Sequence, residues 1–263
     1  MRVSYLELYV HCKKVFEACG IPYGCAEDGA AAVAWGEFGG LLGLNVLTGE
    51  LDRMKASKME NIRLLSEKEG ITHFEGGGQS GLLVGKTVGD YACAQLAKTE
   101  TAVVYVQNTS TSSLFAQQAF WIASKGKGCV IHYQTAEGAP AWIIATPDSP
   151  YPVLAEGLHI NLENEFHAAL DNLDRQKSSN EFLLICTKKV EVVAHLLEKL
   201  KKEAKERNIP IIDSEYVKRT LENSHQYGAE VDRALWDEVH QTGRNILVES
   251  TELSRLRGAG ELA

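Results

Sequence analysis

The sequence lacks several features that mark specialised classes of protein. Its six cysteines are scattered without a C-x-x-C pair, and the 263 residues include only six prolines. No apolar run approaches the ~20 residues of a membrane span, and the first residues lack the charged-then-apolar layout of a signal peptide. These absences predict no membrane association, no metal site and no disulfide framework. They favour a cytoplasmic protein whose cysteines are mostly reduced core residues.

A surplus of positive charge is also missing. The chain has 27 basic and 35 acidic side chains, a net charge of −8, and neither half has more basic than acidic residues. Binding to a phosphate backbone needs a basic patch, so the composition predicts no nucleic-acid partner. With 44% hydrophobic and 24% charged residues, the chain falls in the ordinary folded range.

The N-terminal quarter has the pattern of a helical layer. Ser4 and Glu7 form a capping box and Gly20 provides a left-handed stop, so the pattern predicts a helix over 5–19. A second, alanine-rich stretch over 26–38 is predicted to be helical, and residues 47–65 are predicted to be helical with an irregular centre. We therefore expect the chain to begin with helices.

From residue 71 onward, strands alternate with helices. Strands are predicted over 71–74, 103–106, 129–132, 182–186 and 209–212, and the apolar segment 158–162 resumes the pattern after residue 150. Helices are predicted over 82–97, 113–124, 190–207, 214–223 and 232–242. This alternation favours the α/β class, with the sense of each strand pair left open.

A glycine-rich segment, Gly76-x-Gly78-x-x-Gly81, lies between a predicted strand and a predicted helix. Such a segment can hold a pyrophosphate on the amides of a helix N-terminus. The dinucleotide fingerprint also needs an acidic residue at the end of the next strand, and that strand ends in Gln107 and Asn108. An ordinary turn between strand and helix is therefore favoured over a Rossmann site.

Six short polar residues follow the strand predicted at 103–106. They are Asn108, Thr109, Ser110, Thr111, Ser112 and Ser113. One serine or threonine is enough to cap the next helix, so the run is longer than capping requires. Ligands in α/β sheets bind at the carboxyl ends of strands. Capping and a ligand site formed by residues 108–111 both remain open.

Three further side chains are candidates for chemistry. His132 ends a predicted strand and would lie near Asn108 if the two strands pair, where it could act as a proton donor or acceptor. Arg255 and Arg257 near the C-terminus could hold an anion, although basic residues also favour helix ends. The sequence contains no G-x-S-x-G elbow and indicates no nucleophilic triad.

The chain resembles the type-2 malate/L-lactate dehydrogenase family, NAD(P)-dependent oxidoreductases with a non-Rossmann fold. The resemblance covers roughly residues 1–145. It lies in Val3-Ser4-Tyr5-x-Glu7-Leu8, Ala18-Cys19-Gly20-Ile21-Pro22, Leu51-Asp52-Arg53-Met54-Lys55, the strand 103–107 entering Asn108, and the strand 128–134. Over its full length, including 252–260, the chain is similar to an uncharacterised family of short proteins related to these dehydrogenases.

Two motifs of the dehydrogenase family are altered here. The motif D-S-H-G-V-x-R falls on residues 40–46, so Leu42 stands at the catalytic histidine position and Val46 at the position of the substrate-carboxylate arginine. The motif N-S-x-H-F-G falls on 108–113, where Asn108 is kept and Thr111 replaces the second histidine. Hydride transfer to a carbonyl needs an acid and a cation, and leucine and valine supply neither.

The resemblance implies a mixed sheet beside a helical N-terminal layer, and a homodimer. Residues 1–150 are predicted to form the dehydrogenase-like α/β core, and 151–263 a shortened, divergent α/β half with C-terminal helices. Two functions stay open. The first is a protein that binds a small molecule or modulates a partner, without hydride transfer. The second is an enzyme acting on a small carboxylated metabolite through a rebuilt site with Asn108, Thr109, Ser110, Thr111 and His132; NAD or NADP as cofactor is implied only by the resemblance.

Overall fold

A computed structural model describes residues 1–58, 61–160 and 180–244 of the chain. Within these ranges the strands are β1 (Arg2–Val3), β2 (Arg63–Lys68), β3 (Ile71–Gln79), β4 (Thr101–Thr109), β5 (Gly128–Gln134), β6 (Pro140–Thr146), β7 (Ser149–Glu156), β8 (Glu181–Thr187), β9 (Ile211–Ile212) and β10 (Ala229–Glu230). The helices are α1 (Tyr5–Ala18), α2 (Tyr23–Phe38), α3 (Gly43–Gly49), α4 (Leu51–Lys55), α5 (Gly81–Gln95), α6 (Phe115–Ser124), α7 (Val190–Glu206), α8 (Ser214–Tyr227) and α9 (Arg233–Arg244).

Eight strands form one mixed sheet in the order β2-β3-β4-β8-β5-β6-β7-β9. β3 and β4 are parallel, and the remaining neighbours in this sheet are antiparallel. A doubly wound Rossmann sheet is mostly parallel, so this topology confirms the predicted α/β class with a mixed, non-Rossmann sheet. β1 and β10 pair separately as a short antiparallel ribbon.

The predicted helical N-terminal layer is confirmed. Ser4 caps α1, because its hydroxyl accepts a hydrogen bond from the Glu7 amide at 3.2 Å, and Gly20 has a φ of +77° just beyond the helix. α1 packs against α2 and α9, and α2 also contacts α5 and α6. This layer places its apolar side chains in one core cluster with one face of the sheet.

Strand alternation gives the sheet two differently covered faces. On the helical-layer face, Val104 and Ile131 join the core cluster of α1, α2, α5 and α6. On the opposite face, here called the α7 face, Tyr105 and Trp142 pack with Leu196 and other buried residues of α7. Successive residues of a strand therefore enter different cores.

Three predictions about local structure were wrong. The segment 47–65 is not one helical region, because α4 ends at Lys55 and the edge strand β2 follows, with all six of its residues exposed. The segment 76–78 is not a turn, because it continues β3, with positive φ at Gly77 and Gly78. The strands β6 and β7 were not predicted; of the segment 158–162, residues 158–160 lie in no helix or strand, and residues 161 and 162 lie outside the described residues.

The main sheet includes strands from both predicted halves. β7 crosses residue 150, and β8 lies between β4 and β5. The division at residue 150 remains a prediction. Among the described helices, none is long and apolar enough to cross a lipid bilayer.

Candidate functional site

Asn108 joins two neighbouring strands and is not part of a loop after β4. It has a left-handed φ of +54°, and its side-chain amide donates to Glu75 Oε1 at 2.7 Å. Glu75 also accepts from Gln107 Nε2 and from the Gly77 amide, both at 2.9 Å. Burial by itself would raise the pKa of Glu75, but these three hydrogen bonds outweigh it and lower the pKa.

Thr109 and Ser110 are buried and connect four elements of the fold. Thr109 Oγ1 donates to the Gln79 carbonyl at 2.9 Å, which ties β4 to the end of β3. Ser110 Oγ donates to Glu50 Oε2 at 2.7 Å and accepts from the Gly81 amide at 2.9 Å. These two hydroxyls therefore hold the end of β4 against the end of β3 and the start of α5.

The start of α5 is closed to a phosphate. Ser110 occupies the Gly81 amide, and the Ser80 hydroxyl accepts from the Leu82 amide at 3.3 Å. The backbone is packed so closely here that a Cβ on Gly81 would lie 2.5 Å from the Ser110 carbonyl oxygen. The glycine-rich segment therefore serves strand and helix packing, and the amides that a pyrophosphate would need already have partners.

Thr111 and the serines after it lie beside an open cavity of about 280 Å³ on the helical-layer face. Its lining includes Val46, Glu50, Thr111, Ser113, Tyr133 and Glu156. We call it the helical-layer cavity. Val46 and Thr111, which the sequence resemblance predicts to lie at two motif positions of the dehydrogenases, thus meet at one site.

Leu42, the third residue predicted to lie at a motif position, is not a described lining residue of that cavity. Its side chain is 64% exposed and its φ is +56°, an unusual conformation for leucine. It directly precedes α3, where the Leu44 amide donates to Glu37 Oε2 at 2.8 Å. Burial raises the pKa of Glu37, although the amides of Gly43 and Leu44 act in the opposite direction.

The helical-layer cavity is rich in hydrogen-bond acceptors. Thr111 Oγ1 donates to the Gln134 carbonyl at 2.9 Å and Ser113 Oγ donates to the Leu41 carbonyl at 3.3 Å. Since each hydroxyl has one proton, both oxygens are left with lone pairs only. The charged side chains among the described lining residues are the carboxylates of Glu50 and Glu156, and Glu50 pairs with Arg53 Nε at 3.3 Å.

Tyr133 lies between these groups as a buried phenol. Burial raises its pKa, and the negative charge of Glu156 raises it further. The phenol therefore stays protonated at neutral pH. The phenol can donate, but the two carboxylates and the Thr111 and Ser113 oxygens accept, so these groups favour a ligand that donates hydrogen bonds and disfavour an anion.

His132 does not lie beside Asn108, because β8 separates β4 from β5 and the two strands do not pair. In the register, His132 lies opposite Leu183, which in turn lies opposite Tyr105. The His132 ring lies on the α7 face, stacked on Trp142 with centroids 4.1 Å apart. The strand pairing that would bring His132 beside Asn108 is therefore not formed.

A second cavity, of about 410 Å³, opens on the α7 face. Its lining includes Tyr105, His132, Trp142, His159, Glu181 and Phe182. We call it the α7-face cavity. His132 Nδ1 lies 3.0 Å from the Ala141 carbonyl, which can only accept, so Nδ1 carries a proton. The Tyr105 hydroxyl donates to the Glu181 carboxylate, and Trp142 Nε1 donates to the Leu158 carbonyl at 2.7 Å.

Sequence reasoning missed the α7-face cavity because its side chains come from distant segments. Trp142, His159 and Glu181 lie in or beside three elements, two of which were not predicted. Alternation along 128–134 was the available signal, since it places His132 and Tyr133 on opposite faces. Arg255 and Arg257 lie outside the described residues. Across the described ranges, no group of three His, Cys, Asp or Glu residues could hold a metal ion.

Comparisons with known proteins agree on the fold and give little on function. A family model described as a protein of unknown function (DUF3726) matches residues 3–79, which comprise the helical layer and strands β2 and β3. No curated protein sequence matches this chain.

Solved structures match over almost the whole chain at low identity. A malate dehydrogenase from Pyrococcus horikoshii OT3 matches with a TM-score of 0.67 and 14% identity, over 95% of this chain and 97% of that one. A dehydrogenase from Sinorhizobium meliloti gives 0.67 and 16%, over 92% and 99%. The sulfolactate dehydrogenase from Methanocaldococcus jannaschii gives 0.63 and 13%, over 94% and 97%. The chain therefore has a dehydrogenase-like fold.

Proposed function

We propose that this chain binds a small molecule that donates hydrogen bonds, in the helical-layer cavity, and that it does not carry out hydride transfer by the chemistry of the dehydrogenases it resembles. The observation that carries the proposal is the charge of the cavity. Its described lining has two carboxylates, Glu50 and Glu156, and no lysine, arginine or histidine. An amine or a polyol suits such a lining.

The same lining argues against a 2-keto acid as substrate. Reduction of a keto acid needs a cation to hold the substrate carboxylate and an acid to protonate the new alkoxide. Val46 can do neither, and Thr111 already donates its proton to the Gln134 carbonyl. A substrate carboxylate would face Glu156 without a compensating cation among the described lining residues, which is a like-charge contact.

A series of three ligands of similar shape tests the charge preference. Lactate is an anion, propane-1,2-diol is neutral and 1-aminopropan-2-ol is a cation, and titration calorimetry measures each on the purified chain. We expect the amine to bind most tightly and lactate least. Because Glu156 is exposed, Glu156→Gln should weaken amine binding by about three- to fivefold, which is about 0.7–1 kcal/mol.

Two variants serve as controls for this series. Glu198→Gln removes an exposed carboxylate on α7, and His132→Gln alters a ring that stacks on Trp142 on the opposite face of the sheet. Each should leave amine binding within about twofold, because neither side chain is among the described lining residues of the helical-layer cavity. Tightest binding of lactate, or turnover of pyruvate with NADH or NADPH, would contradict the proposal.

A second candidate function is catalysis in the α7-face cavity. Its volume of about 410 Å³ is in the range of small-molecule sites, and it brings His132, His159 and the Tyr105–Glu181 pair together. An enzyme of this kind would use His132 in proton transfer. Screening 2-keto acids with NADH and NADPH, with His132→Gln beside the wild type, tests it; turnover that the variant does not change would remove His132 from the mechanism.

The oligomeric state and the cellular location are also proposals. The resemblance to the dehydrogenases suggests a homodimer in the cytoplasm. Light scattering on the purified full chain measures the oligomeric state, and a monomeric mass would contradict the homodimer.

A further inference from the structure

Three of the six cysteines, far apart in the sequence, meet in the core on the helical-layer face. Cys186 of β8 lies directly opposite Cys129 of β5 in the antiparallel register. Cys93 of α5 lies over the same strand, because α5 packs against β8. Cys93 packs against the core cluster that contains Cys129 and Cys186, and a side-chain hydrogen bond between Cys93 and Cys186 shifts the pKa of both thiols.

The three thiols differ in exposure. Cys129 and Cys186 are completely buried, whereas Cys93 is partly exposed at the edge of the core. A small oxidant can therefore reach Cys93 first. Lys86, on the same helix, and Lys125, just after α6, place positive charge near its sulfur.

The pKa values of the three thiols also differ, and they too favour oxidation at Cys93 first. The hydrogen bond from Cys186 outweighs burial and, with the two lysines, lowers the pKa of Cys93 to about 7, while Asp90 acts in the opposite direction. The same hydrogen bond, together with burial, raises the pKa of Cys186. Burial raises the pKa of Cys129. Cys93 is thus the thiol with thiolate character, which oxidation requires.

We propose that Cys93 and Cys186 are a peroxide-sensitive thiol pair that forms a disulfide between α5 and β8. The Cys93 thiolate attacks one oxygen of hydrogen peroxide; the O–O bond breaks, and the hydroxide that leaves takes a proton to become water. Cys93 is now a sulfenic acid. The Cys186 sulfur attacks the Cys93 sulfur, the S–O bond breaks, and the second hydroxide leaves with the Cys186 proton as water. Two thiols are oxidised and one peroxide is reduced to two waters.

Peptide mapping of the full chain after treatment with hydrogen peroxide tests the proposal. Free thiols are alkylated before a non-reducing digest, and the linked peptides are identified by mass. We expect a Cys93–Cys186 linkage, a loss of two hydrogen atoms, and two fewer titratable thiols. A linkage between Cys129 and Cys186, or the retention of all thiols, would overturn the proposal.

Matched serine variants separate the roles of the three cysteines. Cys93→Ser should abolish the loss of thiols, and Cys129→Ser should leave its rate within about twofold of the wild type, because Cys129 takes no part in the proposed steps. Cys186→Ser should stop at a Cys93 sulfenic acid, which dimedone traps. If this buried substitution prevents folding, the wild-type peptide map still decides between the two linkages. Unchanged oxidation in Cys93→Ser would contradict the assignment.

Discussion

The two faces of the sheet carry different chemistry although they are built from the same strands. The helical-layer cavity is lined by hydroxyls and two carboxylates, whereas the α7-face cavity is lined by aromatic rings, two imidazoles and one carboxylate. His132 and Tyr133 are adjacent in the sequence, yet the His132 ring packs on Trp142 and Tyr133 joins the helical-layer core. The rings of these neighbours therefore enter different cores, although Tyr133 also lines the α7-face cavity.

The largest expected effect tests how much packing on the α7 face contributes to the free energy of unfolding. Trp142→Ala removes a ring that is 1% exposed, its hydrogen bond to the Leu158 carbonyl and its stacking with His132. We expect the free energy of unfolding to fall by about 3–5 kcal/mol, measured by urea denaturation. Trp121→Ala, at a ring that is 46% exposed, should change it by less than about 0.5 kcal/mol. Similar losses of unfolding free energy in the two variants would contradict a structural role for Trp142.

The next prediction distinguishes a residue of the helical-layer face that stabilises the fold from one that lines the cavity. Thr109→Val leaves the Gln79 carbonyl without its buried hydroxyl donor, and should cost about 1–2 kcal/mol of unfolding free energy. Thr111→Val, at the half-buried cavity wall, should cost about 0.5 kcal/mol or less. Thermal and urea unfolding measure both. Equal losses would mean that Thr111 is as structural as Thr109.

The smallest effect concerns Glu75, the acceptor that fixes Asn108 at the end of β4. Its pKa is lower in the folded protein, so its ionised form adds stability that is present above the unfolded pKa of about 4.3 and is lost as the pH falls. Because Glu75 is partly exposed, Glu75→Gln should cost only about 0.5–1 kcal/mol at neutral pH. Urea unfolding as a function of pH should show this difference vanishing in acid. A difference that persists at low pH would rule out a charge effect; the exposed Glu137→Gln is the control.

The sequence predicted the helical layer and the α/β class because both rest on local patterns, whereas the mixed sheet was implied only by the resemblance to the dehydrogenases. The capping box at Ser4 is a local interaction, and the structure confirms its hydrogen bond. β2 escaped prediction because an edge strand without a buried residue has no alternation of apolar and polar residues. The glycines at 77 and 78 led to the wrong prediction of a turn, because positive φ, which is typical of turns, here occurs within β3.

The candidate site was predictable only in part, for a reason of topology. The sequence singled out Val46 and Thr111 through altered motifs, and the structure places both at one cavity. It could not give the partners of Thr109 and Ser110, because Gln79, Gly81 and Glu50 come from three other elements. Nor could it show that β8 separates His132 from Asn108, since the order of strands in a sheet depends on long-range packing.

The position of β8 also constrains the order in which the chain can fold. β4 and β5 each pair with β8, so the strands that precede it can assemble only as two separate groups, β2–β4 and β5–β7. During synthesis, the open edges of β4 and β5 must wait until Thr187 has emerged from the ribosome. Closing the sheet is thus a late, long-range step, which predicts slow folding and a nascent chain whose unpaired strand edges are prone to aggregation.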